Sequence, residues 1–267
     1  MISIILPVYN NEKTLKVVLN SLIININKKD ELIIINDAST DTSNQIIKSF
    51  IKKYDRHNIK LIINKKRSGI SNSLNKGIEK ATREYIARID GDDINIRNRF
   101  EYQLNILKKN KQIDLLSCAK IDYKKIEDIN YSNKLIDKNS NYEVKRISKY
   151  KLAYKNLIVH PSVIYKAEII KNFKYSLKYC GKCEDYFLWL KLISAGVNIY
   201  SCSTPVIYYF NQCLNIKKVK LQIIYSIKAR ISFIDIRNPL FSLFLLIGSI
   251  RDMMRFAKIQ ISKNNEI

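Results

Sequence analysis

The sequence predicts an α/β protein: a doubly wound, mostly parallel sheet with helices on both faces, followed by a C-terminal helical extension. Three observations carry this. Strand and helix patterns alternate through the first ninety or so residues. The strand candidates are short continuous apolar runs, as expected for strands buried on both faces. Beyond Pro205 the chain changes character, and 10 Lys+Arg face 3 Asp+Glu there, a net of +7.

The elements follow in order. "ISIILPV" (2–8) is a first strand, and "NEKTLKVVLNSLI" then sets Leu15, Val18, Leu19 and Leu22 at helical spacing. "ELIIIND" (31–37) is a second strand. "TDTSNQIIKSFIKKY" places Ile46, Ile47, Phe50, Ile51 and Tyr54 on one helical face, with Thr40 or Asp41 as its N-cap. "IKLIIN" (59–64), "SNSLNKGIEKA" and "EYIARI" (84–89) continue as strand, helix, strand. This β-α-β-α-β-α-β order implies parallel pairing with crossover helices. Further on, "IRNRFEYQLNILKKN" (96–110) reads as a helix and "IDLLSCA" (113–119) as a strand. Residues 122–155 read as loops and short elements, "HPSVIYKAEII" (160–170) as a strand entering a helix, and "EDYFLWLKLISAG" (184–196) as a helix ending at Gly196. The domain division expected is 1–210 for the part that holds the sheet and 211–267 for a basic amphipathic extension.

Composition narrows the classes. With 267 residues, 46% of them hydrophobic, only 6 Gly and 4 Pro, the chain can bury a large core and is neither fibrous nor disordered. Five cysteines are too few and too scattered for a disulfide framework, and Cys180-Gly181-Lys182-Cys183 lacks the second pair of a zinc ribbon. "MISIILPVYN" reads as a strand and not as a signal peptide, and no apolar run reaches the ~18 residues of a spanning helix. The expected location is therefore cytoplasmic, with peripheral contact on the inner face of the membrane. The net charge of +23 suits either solubility or an anionic partner. Its dispersal, without a recognised motif, argues against nucleic acid.

In a doubly wound sheet, ligands bind outside the carboxyl ends of the strands. That rule singles out the turns Pro7-Val8-Tyr9-Asn10, Asn36-Asp37-Ala38-Ser39 and Asp90-Gly91-Asp92-Asp93. Three carboxylates crowded at a strand end repel one another unless a cation neutralises them. A hard divalent ion with oxygen ligands does so, and Gly91 lets the backbone turn tightly. The alternative is a solvated acidic turn capping the next helix. Asp37 repeats the pattern of an acid at a strand end and is suited to accept a base imide N–H.

"ISIILPVYNNEKTLKVVLNSL", "ELIIINDASTDTS", "SGISNSLNKGIEKATREYIARIDGDDI" and "CEDYFLWLKL" together resemble the inverting family 2 glycosyltransferases of the GT-A fold, over residues 2 to about 210. The resemblance implies transfer of a sugar from a nucleotide diphosphate sugar, a UDP-sugar above all, to a hydroxyl of a glycan or lipid-linked acceptor. The setting it implies is lipopolysaccharide, capsule or exopolysaccharide synthesis, with Mn²⁺ or Mg²⁺ as cofactor. It implies that Pro7, Val8, Tyr9 and Glu12 line the base or ribose and that Asp37 meets the base, while Arg67 or Lys66 is expected to contact the diphosphate in place of an arginine the family often carries. Asp90-Gly91-Asp92 takes the Asp-x-Asp position, with Asp92 the main metal ligand, Asp90 beside ribose and metal, and Asp93 a helix cap. Asp185 matches the catalytic base, with Glu184 as alternative base or acceptor-orienting group. Two departures stand out: Asn36 replaces the first aspartate of a pair, and Leu74 stands where an arginine is common.

Several residues keep two readings. Trp189 stacks on an acceptor sugar or packs in the core, and His160 lines an acceptor pocket or is structural. Arg88 receives no role. The alternatives to a transferase are a non-catalytic nucleotide-sugar or glycan-binding relative, and a sugar nucleotidyltransferase, whose glycine-rich loop is missing. In the tail, residues 238–250 are uncharged and apolar. Arg251, Arg255, Lys258 and Ser262 fall on one helical face beyond them, with Met254, Ala257 and Ile261 on another. This predicts membrane contact through 238–262, or packing on protein.

Overall fold

A computed structural model describes residues 1–129, 134–137, 142–211 and 216–264. Its first strand, β1 (Ile2–Val8), is buried along its whole length. α1 (Glu12–Ile23), β2 (Glu31–Asn36), α2 (Ser43–Lys53), β3 (Ile59–Ile63), α3 (Ile70–Lys80) and β4 (Tyr85–Arg88) follow in the alternation the sequence predicts. β5 (Ile94–Asn95), α4 (Arg99–Lys109), β6 (Leu115–Tyr123) and β7 (Val144–Arg146) come next, then α5 (Lys149–Tyr154), β8 (Ile164–Lys166), α6 (Ala167–Phe173) and α7 (Glu184–Ser194). β9 (Ile199–Phe210), α8 (Ile216–Ile231) and α9 (Pro239–Asn264) complete the described chain.

The strands form one sheet in the order β3-β2-β1-β4-β8-β6-β9-β5, with β7 paired to β9. β3, β2, β1 and β4 are parallel; β8 enters antiparallel beside β4. The two-residue period of β1 and β2 divides their side chains between two layers. Ile2, Ile4, Leu6, Val8, Leu32 and Ile34 join the core containing Leu15, Val18, Leu22, Ile47 and Phe50 of α1 and α2. On the opposite face Ile5 and Ile35 meet α3, where Gly77 permits close approach: a Cβ there would lie 2.5 Å from Ile5 Cγ2.

The chain divides into two compact units. The first comprises Met1–Arg146, Ile158–Lys174 and Asn198–Gln212 and holds the sheet. The second comprises Ile147–Leu157, Tyr175–Val197 and Cys213–Ile267, so α5 and α7 group with α8 and α9.

Several expectations need correction. β9 runs through Pro205, a stretch with no strand expected from sequence. The proline sits opposite Ala119 at a register irregularity, where its missing N–H is tolerated. The helix expected over 96–110 starts at Arg99, because Asn98 adopts a left-handed backbone (φ 70°) after β5. The stretch 122–155 is as expected in its described part, with β7 and α5 as its short elements. α2 is capped at Thr42, not at Thr40 or Asp41, although Asp41 Oδ1 does accept from Ser43 N–H. Ile261 and Ser262 lie outside the residues whose side chains are described.

Candidate donor and metal site

Three turns at the carboxyl ends of β1, β2 and β4 are tied together in the first unit. Asn11 Oδ1 accepts from Tyr9 N–H at 3.0 Å and fills the space a Cβ on Gly91 would need. Thr14 Oγ1 donates to Gly91 O at 2.7 Å. Asn10 reaches across to Thr40, and Asn11 N–H donates to Ser43 Oγ. Two helix N-termini cap each other reciprocally. Asp41 Oδ2 accepts from Glu12 N–H, and Glu12 Oε2 accepts from Thr42 N–H and Oγ1. A carboxylate is favourable at either end, where backbone N–H groups lack helical partners. Glu12, expected to line base or ribose, thus holds α2.

At the end of β4, one ligand oxygen from each of Asp90, Asp92 and Asp93 lies within 4.8 Å of the others. Asp90 and Asp92 are half-buried and Asp93 is buried. Asp93 Oδ1 accepts from Phe210 N–H at 3.0 Å, while its Oδ2 is buried without a hydrogen-bond partner. Burial raises the Asp93 pKa well above the carboxylate range, and the negative charges of Asp90 and Asp92 add to this. Asp93 therefore does not cap the following helix; β5 intervenes and Asn98 occupies the cap position.

Arg88, given no role from sequence, is the main counter-charge. It is 1% exposed and donates from Nη1 and Nη2 to both oxygens of Asp90. Its carbonyl accepts from Arg99, which also donates to Pro161 O, Asn95 and Gln103. Burial lowers the Arg99 pKa to about 9. Burial, and then the charge of Arg88, hold the His160 pKa well below the usual histidine range. His160 is thus a half-buried histidine held neutral beside Arg88. A signal for Arg88 was present: residues 88 and 90 are two apart in extended chain and so share one side.

Asp37 is 4% exposed. Its Oδ1 accepts from Asn64 Nδ2, Ser68 N–H and Ser68 Oγ, at 2.6–2.8 Å, and its Oδ2 from Gly69 N–H at 2.8 Å. Burial raises its pKa, but these donors outweigh it and hold it below the ordinary value. A carboxylate has about four lone-pair sites. Three of the protein's donors converge on Oδ1 and one on Oδ2, which fastens the 64–69 loop at the start of α3 and leaves Oδ2 a further acceptor site. That loop carries Arg67, whose guanidinium carbon lies 4.1 Å from the centroid of the half-buried Tyr9 ring. Pro7 is buried in β1, and Lys66 is exposed. Leu74 is a core residue of α3.

The second unit holds Glu184 and Asp185 in the first turn of α7. Asp185 Oδ2 accepts from Asn156 Nδ2 at 3.1 Å, and Glu184 Oε2 from Lys182 N–H. Trp189 is fully buried, which leaves its ring to core packing. Cys183 is buried, Cys180 half-buried, and both are free thiols.

The residues at the end of β4 fit a hard divalent cation. The donors are carboxylate oxygens, and an unpartnered buried oxygen of Asp93 adjoins the half-buried Asp92. Asp90 fits less simply, because Arg88 engages both its oxygens.

The pattern described as "Glycosyl transferase family 2" matches residues 3–172. The chain belongs to this family. The match covers the turns of the first unit and ends before Glu184. A "Bifunctional glycosyltransferase pgtA" of Dictyostelium discoideum is 33% identical over 271 residues, 83% of this chain but 34% of that protein. The chain thus spans about a third of that relative's length. An Escherichia coli "UDP-Gal:alpha-D-GlcNAc-diphosphoundecaprenol beta-1,3-galactosyltransferase" is 32% identical over 202 residues, 73% of this chain and 69% of that protein. Among solved structures, a mannosyltransferase from Pyrobaculum calidifontis in complex with GDP-Man and Mn²⁺ superposes with a TM-score of 0.68. It is 16% identical and covers 97% of this chain and 73% of that one, a likeness that shows the shared fold.

Proposed function

We propose that this chain is an inverting glycosyltransferase that moves a sugar from a nucleoside diphosphate sugar to a hydroxyl of a glycan or lipid-linked acceptor in cell-surface polysaccharide synthesis. The observation that carries the reading is the carboxylate cluster at the end of β4, beside turns that bring Tyr9 and Arg67 together. A divalent ion, Mn²⁺ or Mg²⁺, would be held by Asp92 with Asp93 or Asp90, and when bound would offset charge developing on the leaving diphosphate. Tyr9 offers a ring face to the nucleoside, and Arg67 a positive charge to the diphosphate. Asp37 holds the loop that carries Arg67 and offers Oδ2 to a base N–H. Asp185 takes the acceptor proton as the hydroxyl attacks the anomeric carbon opposite the leaving group. One displacement with one base inverts that carbon and needs no enzyme nucleophile. Glu184 supports it or orients the acceptor.

UDP is the favoured nucleotide. The E. coli relative's own name specifies UDP-Gal, while GDP-Man in the archaeal structure belongs to a chain of lower identity.

The test is thermal stability of the full chain with UDP, GDP, dTDP and CMP, each with and without Mn²⁺, for wild type and Asp92→Ala. Ligand at 100 times its Kd stabilises by about 2.7 kcal/mol. A shift with UDP that requires both Mn²⁺ and Asp92 is expected. A second arm follows hydrolysis of UDP-sugars by wild type and Asp185→Asn, the variant being expected to bind UDP normally and turn over at least ~100-fold more slowly. A folded protein that no nucleotide stabilises would refute the reading.

A further inference from the structure

The C-terminal helix α9 is turned inside out relative to an ordinary surface helix. Its packed face carries Phe241, Ser242, Leu245, Gly248, Ser249 and Asp252, all buried. A Cβ on Gly248 would lie 2.6 Å from Tyr154 O, so α9 approaches the backbone of the last turn of α5 very closely. Asp252 is fixed by Arg230 and Arg251. The opposite face is large and apolar at every exposed position from 240 to 254: Leu240, Leu243, Leu246, Ile247, Ile250, Met253 and Met254, each 41–57% exposed. The stripe extends about 21 Å at 1.5 Å per residue. Ile231, Ile234 and Ile236 are also exposed in the preceding segment, Ile236 at 92%.

Charge decides what this face meets. Residues 238–250 contain no ionisable side chain. Lys258 continues the track four residues beyond Met254, and Arg255 is exposed beside it. Asp252 is the acid among the described side chains of α9, and it is 5% exposed. A paired helical seam would want charged flanks to set partner and register. A broad apolar stripe ending in exposed basic groups matches an interfacial helix on anionic lipid. No helix among the described residues is long and apolar enough to cross a membrane, so the helix would lie in the plane of the surface.

We propose that the exposed face of α9 is a docking surface for an anionic lipid bilayer, with the Leu240–Met254 stripe in the interface and Arg255 and Lys258 at the head groups. This does not depend on the catalytic reading, because lipid binding and donor binding are measured separately.

The test is flotation of the full chain with phosphatidylglycerol vesicles and with phosphatidylcholine vesicles, alongside light scattering without lipid. Wild type is expected to float with phosphatidylglycerol, less so in high salt, and to be a monomer without lipid. Leu243→Glu with Ile247→Glu and Ile250→Glu should lower the partition at least about tenfold. The melting temperature should be preserved, because all three positions are exposed. Arg255→Glu with Lys258→Glu should remove the preference for phosphatidylglycerol and leave weak binding to both vesicles. Failure of wild type to float with phosphatidylglycerol overturns the proposal. So does equal binding to both lipids, or a lipid-free dimer that the triple variant converts to monomers, which would assign the face to a second copy.

Discussion

Replacing Asp37 by asparagine preserves the side chain's shape but removes its charge and one of its two acceptor oxygens. The carboxylate accepts from Asn64, from Ser68 twice and from Gly69, all at 2.6–2.8 Å. Two of these donors are backbone N–H groups at the entrance of α3, which begins at Ile70. A hydrogen bond to a charged group contributes about 1.5–3 kcal/mol, and neighbours sharing one acceptor do not add fully. The amide can keep its oxygen toward the three donors at the Oδ1 position, as a weaker neutral acceptor, while its NH₂ opposes Gly69 N–H. We therefore expect Asp37→Asn to cost about 2–3 kcal/mol. At about 2–4 °C per kcal/mol for a chain of this size, the melting temperature should fall by about 5–10 °C. UDP affinity, measured calorimetrically in parallel, should fall about tenfold as Arg67 loses its support over Tyr9. An unchanged melting temperature together with lost UDP affinity would refute this reasoning, since it would put the carboxylate on the nucleotide instead of on the loop.

Three further predictions concern the frame around the site. Burial raises the pKa of Glu31, but Lys60, Ser3 and Thr82 outweigh it and bring it from 4.5 to about 2. Because the folded value is depressed, the stabilisation is present above pH ~4.5 and is lost as pH falls toward ~2, about 3 kcal/mol in all. Urea melts should show Glu31→Gln less stable at neutral pH and flatter across that acid range. Ala38 has a left-handed backbone (φ 57°), which strains a residue bearing a Cβ. Ala38→Gly should raise stability by about 0.5–1 kcal/mol in the same melts. Gly77→Ala should lower it by about 1–3 kcal/mol, because the new Cβ meets the branched Ile5 side chain and outweighs alanine's helical advantage of about 1 kcal/mol.

Legibility in the sequence followed the range of the interactions. β1, β2 and α1 to α3 announce themselves because both strand faces are apolar and each helix buries one stripe, all local patterns. β9 was missed because Pro205 interrupts it, and only its register against β6 shows that the proline occupies an irregularity. Within the site, the crowding of Asp90, Asp92 and Asp93 was legible from spacing alone. The roles of Glu12 and Asp37 were not. Their partners, Thr42 and the 64–69 loop, lie some thirty residues away, and an acid after a strand looks the same in sequence whether it holds a ligand, a neighbouring turn or both. Arg88 was obscured by its place in an apolar strand, where period-two reading assigns a burial but not a partner.

The stitching between the three turns has a bearing on how such a site can be altered. The turn after β1 and the start of α1 bond to the turn after β2 and the start of α2 through Asn10, Asn11 and Glu12, and meet the turn after β4 through the Thr14 hydrogen bond and the packing of Asn11 on Gly91. None of the three is a modular part. Grafting one loop from a relative with a different donor would leave its former partners with orphaned donors and acceptors on two sides, each costing about 1–3 kcal/mol where buried. Changes of donor preference in this scaffold should therefore travel as coordinated exchanges of all three turns, or as substitutions at side chains such as Arg67 that project from the frame without belonging to it.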